Sequence, residues 1–153
     1  MNSQERLVRL ILFVILGALM MASPAQAAES CHKINAKGVG QDRGGGVTEA
    51  QIIGGGLLHG TTEGNFLVTG LSGTVALFVG TVEFTTNHGT LTVTVAGTLD
   101  VATGEFGASG AVTGATGKLA GATGGLSFRG VEDLSDGSFV EDVTGEICVH
   151  LAP

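Results

Sequence analysis

The stretch Thr90-Leu91-Thr92-Val93-Thr94-Val95-Ala96-Gly97-Thr98-Leu99-Asp100-Val101 decides the fold. Leu91, Val93, Val95, Leu99 and Val101 share one face with Gly97, while Thr90, Thr92, Thr94, Thr98 and Asp100 share the other with Ala96. A period of two carried by β-branched residues is the pattern of a half-buried strand. Upstream, Thr74–Thr86 alternates in the same way, with Val75, Leu77 and Val79 set against Ala76, Phe78 and Gly80. Asn87-His88-Gly89 between the two runs is turn chemistry, so they form a long hairpin. Further turns are expected at Ala102-Thr103-Gly104-Glu105 and Leu134-Ser135-Asp136-Gly137. Weaker, glycine-diluted strands are expected at Gln51–His59, Asn65–Leu71, Phe106–Thr113, Leu126–Glu132 and Ser138–Leu151.

Strands at this spacing, with no helical face longer than a turn and a half, specify an all-β sandwich or barrel. Glycine decides between them. The 153 residues include 27 glycines, about two and a half times the usual share, and glycine within strands permits bulges and tight bends. The expected architecture is a single antiparallel β-barrel of about eight strands over residues 51–153, with residues 28–50 as an N-terminal extension or linker. The word Gly-Ala-Thr-Gly occurs at Gly114–Gly117 and again at Gly121–Gly124, but two copies are too few for a repeat array.

Residues 1–27 have the three parts of a cleaved signal peptide. Arg6 and Arg9 make a positive start, Leu10–Ala22 is apolar throughout, and Pro24 precedes the small-x-small site Ala25-Gln26-Ala27. The apolar run of 13 residues is short of the about 20 that span a bilayer. The protein is therefore expected to be secreted or periplasmic, with no membrane association after cleavage. Residues 28–153 carry 5 basic and 13 acidic side chains, a net charge of −8, which excludes the basic footprint needed for nucleic-acid binding. Cys31 and Cys148 lie near the two ends of this part. In an exported chain an even count suggests a disulfide, the alternative being two buried thiols.

The segment Val112-Thr113-Gly114-Ala115-Thr116-Gly117-Lys118-Leu119-Ala120-Gly121-Ala122-Thr123-Gly124 resembles the turn motif of dirigent proteins and the wider allene oxide cyclase-like barrels. In those a strand runs into Gly-Gly-Thr-Gly-Lys-Phe, a short turn and then Ala-Arg-Gly. Gly114, Thr116, Gly117, Lys118, Gly121 and Gly124 carry the motif, while Ala115, Leu119 and Thr123 depart from it. The resemblance spans roughly residues 76–149 and implies an eight-stranded barrel with an apolar cavity, commonly a trimer. It implies a small apolar ligand, bound or oriented. It transfers no catalytic residue, because dirigent sites use acidic residues together with tyrosines and this chain has no tyrosine.

Two carboxylates are candidates for acid–base work. Glu83 shares a face with Val75, Leu77 and Val79, and Glu141 shares one with Phe139, Val143 and Ile147. A carboxyl group aimed into an apolar cavity has its pKa raised by desolvation; the bland alternative is a strand end or bulge that turns each into solvent. Glu132, Asp133, Asp136 and the Glu141-Asp142 pair read as a solvated acidic face rather than a calcium loop. His32 and His150 flank the cysteines without the four ligands of a structural zinc site, so no metal is expected. The serine-hydrolase elbow, the phosphate loop and the His-Glu-x-x-His motif are all missing from the sequence, and no cofactor is implied. Three functions stay open at this stage: a ligand-binding barrel, an isomerase or cyclase using Glu83 or Glu141, and a non-catalytic envelope module.

Overall fold

A computed structural model describes residues 29–150; the signal-peptide expectation for residues 1–27 lies outside them. Eight antiparallel strands follow one another in chain order: β1 (Ser30–Gly44), β2 (Val47–Gly54), β3 (Gly60–Ser72), β4 (Val75–Thr86), β5 (Gly89–Asp100), β6 (Glu105–Ala115), β7 (Thr123–Glu132) and β8 (Ser138–Val149). Each pairs with the next, and β8 returns to β1 from Ser30↔Val149 through Gln41↔Ser138, closing the barrel. Closure leaves no edge strand with unpaired backbone groups.

The barrel begins at Ser30, not at Gln51. The segment 28–50, expected as an extension, supplies β1 and the first half of β2. Its inward positions are Ala36, Gly38 and Gly40 below the mouth and Ile34 near the base, too small for the most part to register as an apolar face. Gly44, Gly45 and Gly46, all at positive φ, make the turn that reverses the chain into β2.

The two ends of the barrel differ. At the base, the one-turn 3-10 segments Gly56–Leu58 and Gly117–Leu119 fold inward, and Leu58 and Leu119 are fully buried. They meet a cluster that includes Ile34, Phe84, Leu91, Ile147 and Val149. The turn motif serves this plug. The Lys118 amide donates to the His88 carbonyl at 2.7 Å, and the Thr90 amide donates to the Thr116 hydroxyl at 3.0 Å. Gly117 sits at φ +61, where a Cβ would come within 2.7 Å of the His88 oxygen. Gly114 lies near the end of β6, Gly121 takes positive φ in the turn, and Gly124 lies at the start of β7.

Cys31 and Cys148 are direct cross-strand partners at the base of the closing seam and form a disulfide. The opposite end, formed by the turns between β1–β2, β3–β4, β5–β6 and β7–β8, has no such plug among the described residues. The outer wall carries two short apolar rows in register: Val39–Val140–Val131 across β1, β8 and β7, and Leu67–Val79 across β3 and β4.

Candidate functional site

All six phenylalanines of the described residues are inside the barrel. Phe84 and Phe128 pack toward the base, while Phe66, Phe78, Phe106 and Phe139 ring the upper half. Each upper ring stands directly across from a glycine on a neighbouring strand: Phe66 from Gly80, Phe78 from Gly97, Phe106 from Gly130 and Phe139 from Gly40. The fit is close. A Cβ would lie 2.6 Å from the Phe66 ring at Gly80, 2.6 Å from Phe78 at Gly97 and 2.5 Å from Phe106 at Gly130. Rings seated on glycine lie against the wall instead of filling the axis.

What remains is a cavity of about 260 Å³ opening at the unplugged end. Its apolar lining includes the four upper rings with Val68, Val82, Val95, Leu99 and Phe128, and its polar lining is Thr48, Thr62, Asp42, Glu132 and Glu141. Wider depressions lie elsewhere, one along the outer wall between β5 and β7 and one beside the β7–β8 turn. Both are shallow and open to solvent, so the barrel interior is the candidate site.

Glu141 is the deepest of the three carboxylates. It lies on the inner face of β8 with Phe139, Val143 and Ile147, opposite Gly38 on one side and Gly130 on the other. A Cβ at Gly38 would lie 2.6 Å from both Cγ and Oε1 of Glu141, so the glycine is what gives the side chain its seat. No hydrogen bond or ion pair reaches this carboxyl group from any described residue. Burial pushes its pKa up to about 7. It can therefore be protonated or ionised near neutral pH, as a proton donor or acceptor must.

Glu132 and Asp42 stand at the mouth. Burial, and then the nearby negative charge of Asp42, hold the Glu132 carboxyl above its ordinary range. The Asp42 carboxylate accepts the Gly44 amide at 2.7 Å, across the bulge where β1 turns toward β2.

The other candidates fall elsewhere. Glu83 is exposed on the outer wall, directly across from Glu63, so its role as a cavity carboxylate is corrected. The inner face of β4 is Ala76, Phe78, Gly80, Val82 and Phe84; the apolar residues Leu77 and Val79 that share Glu83's side face solvent. Burial of Val82 and Phe84 fixes that phase.

The acidic face read near the last turn divides in two. Glu132 and Glu141 point inward, whereas Asp133, Asp136 and Asp142 are exposed. Asp133 accepts hydrogen bonds from the hydroxyl and the amide of Ser135, which hold it below its ordinary range. Asp136 accepts the Ser138 amide, and Asp142 pairs with Lys37. The Cys31 and Cys148 sulfurs approach Glu146, but both are committed to the disulfide. His32 shares a hydrogen bond with the Ser30 hydroxyl.

Asp42 and the glycine seats were not legible as site residues. The usable signal was the pairing of inward rings with inward glycines once the register is known. No family model, curated protein or solved structure matches the chain.

Proposed function

We propose that this protein is an exported barrel of the dirigent and allene oxide cyclase-like kind that binds and orients one small apolar molecule. The observation that carries the reading is the cavity: about 260 Å³, closed at the base, open at the mouth and walled by four aromatic rings held back by glycines. Small eight-stranded barrels leave room for one such ligand. Export is supported by the leader-like residues 1–27 and by the seam disulfide, a bond that persists in oxidising compartments. The test is titration of the purified protein with neutral phenol- and indole-sized probes, followed through backbone amide NMR shifts. Saturable shifts at Val68, Val95, Ala108 and Glu141 are expected. Shifts that stay linear in probe concentration, or that scatter over the outer wall, refute it.

A second reading, an isomerase or cyclase, is favoured by one observation: the unpartnered, near-neutral carboxyl of Glu141 inside the same cavity. On that reading Glu141→Gln abolishes conversion of a bound probe while Glu83→Gln leaves it intact. Equal turnover in the two variants removes it.

A further inference from the structure

Three carboxylates face into the cavity, those of Asp42, Glu132 and Glu141, and among the described residues no lysine, arginine or histidine lines it. The two ion pairs of the described residues, Lys37–Asp142 and Arg43–Glu49, engage none of the three. Negative charge inside a partly desolvated, low-dielectric site is therefore left without a counter-charge from the protein itself. Nor are the three grouped tightly enough to hold one metal ion together: among the described residues, the one trio of potential ligands that close is Cys31, Glu146 and Cys148. A bare ion would leave the aromatic walls uncovered. An organic cation satisfies both halves of the site.

Resting on the binding reading above, we propose that the cavity selects a small aromatic or branched aliphatic amine, its apolar body among Phe66, Phe78, Phe106 and Phe139 and its ammonium group facing Asp42, Glu132 and Glu141. Size sets the scale of the molecule. A cavity of 150 Å³ holds a benzene ring, so 260 Å³ holds about ten non-hydrogen atoms in proportion. The rings also attract a cation through their negative faces. The excess of 13 acidic over 5 basic side chains in residues 28–153 draws cations toward the protein and repels anions. A carboxylate ligand would add further negative charge to the same space.

The test uses three near-isosteres: 3-phenylpropylamine, 3-phenylpropan-1-ol and 3-phenylpropanoate, titrated by calorimetry and by amide NMR at low salt. The amine is expected to bind at least tenfold more tightly than the alcohol, and the carboxylate at least tenfold more weakly. In Asp42→Asn/Glu132→Gln/Glu141→Gln, the amine and the alcohol are expected within threefold of each other. Far-UV circular dichroism checks that this variant is folded, and Glu132→Gln alone, expected to narrow the preference, serves if it is not. If the alcohol binds as well as the amine to the wild-type protein, the charge selection is overturned while the binding reading stands. If the preference survives in the amide variants, it does not come from these carboxylates and the proposal also fails. If none of the three binds, the binding reading fails with it.

Discussion

Replacing Glu141 by Gln isolates the energetic consequence of a carboxyl group seated among glycines and rings. In the folded protein its pKa is about 7, against about 4.5 when the chain is unfolded and the group is hydrated. Between those values the folded state binds the extra proton, so stability falls as pH rises. The contribution is intact below about 4.5 and is lost through 7. A gap of this size corresponds to about 3 kcal/mol in the limit, most of which falls between pH 5 and pH 8. Gln has nearly the same shape and no titration. The variant's stability relative to wild type should therefore rise by about 2–3 kcal/mol from pH 5 to pH 8, whatever fixed offset the amide introduces.

The assay is urea unfolding with the disulfide intact. It is followed by far-UV circular dichroism, because the chain has neither Trp nor Tyr. With a urea slope of about 1.5 kcal/mol per molar, the difference between the two midpoints should change by roughly 1.5 M across that range. Glu132, also held above its ordinary range, titrates in both proteins and largely cancels. Parallel pH profiles for wild type and variant would refute the account, since they would mean that Glu141 is as well hydrated in the folded protein as outside it.

Four other outcomes follow from the same geometry. Gly40→Ala should destabilise by about 1–3 kcal/mol, measured by thermal melt, because its Cβ would meet the Phe139 ring and lie 2.5 Å from the immovable Glu49 carbonyl oxygen. Removing the seam disulfide in Cys31→Ser/Cys148→Ser, a link across 117 positions of chain, should lower stability by up to about 4–5 kcal/mol in the chain-entropy model, or roughly 15–20 °C in Tm. Glu83→Gln should leave the cavity amide resonances unmoved and should not weaken the fold, because it relieves the like-charge pairing with Glu63 on the outer wall. N-terminal sequencing of protein recovered from an exporting host should begin at Ala28; a chain that retains residues 1–27 in the soluble fraction would count against cleavage there.

Sequence alternation was a good guide wherever the inward residues are large. β5 reads correctly because Leu91, Val93, Val95 and Leu99 all turn inward, and the turns at 87–89, 102–105 and 134–137 carry the residues that turns require. It misled on β4, where Leu77 and Val79 look like core but lie outside, and the inward set is interrupted by Gly80. It missed β1 altogether, since Ala36, Gly38 and Gly40 present almost no side chain. A glycine facing a cavity cannot be told from a glycine in a linker until its cross-strand partner is known. The partners of Gly38 and Gly40 lie about a hundred residues away, at Glu141 and Phe139, and no local pattern connects them.

A plug at one end only accounts for the position of the void. Toward the base, Phe84 opposes Leu91 and Phe128 opposes Val143, and Leu58 and Leu119 of the two 3-10 turns fill the space beside the glycine-paired Ile34, Leu126 and Ile147. Such layers fill the axis, as side chains in small barrels ordinarily do. Toward the mouth each ring likewise leans on a glycine of the opposite wall, but among the described residues no segment folds inward there, and the axis empties. Glu141 stands at that transition, with Gly38 and Gly130 on either side and the closed layer of Val143 and Phe128 beneath it. A glutamine there would spare the protein an uncompensated charge above pH 7, and a leucine would fill the seat. The carboxyl group does neither, and local conflicts of this kind between stability and residue choice concentrate at functional sites. The floor of the cavity, more than its aromatic rim, is therefore where a bound molecule would meet the carboxyl group that burial holds near pKa 7.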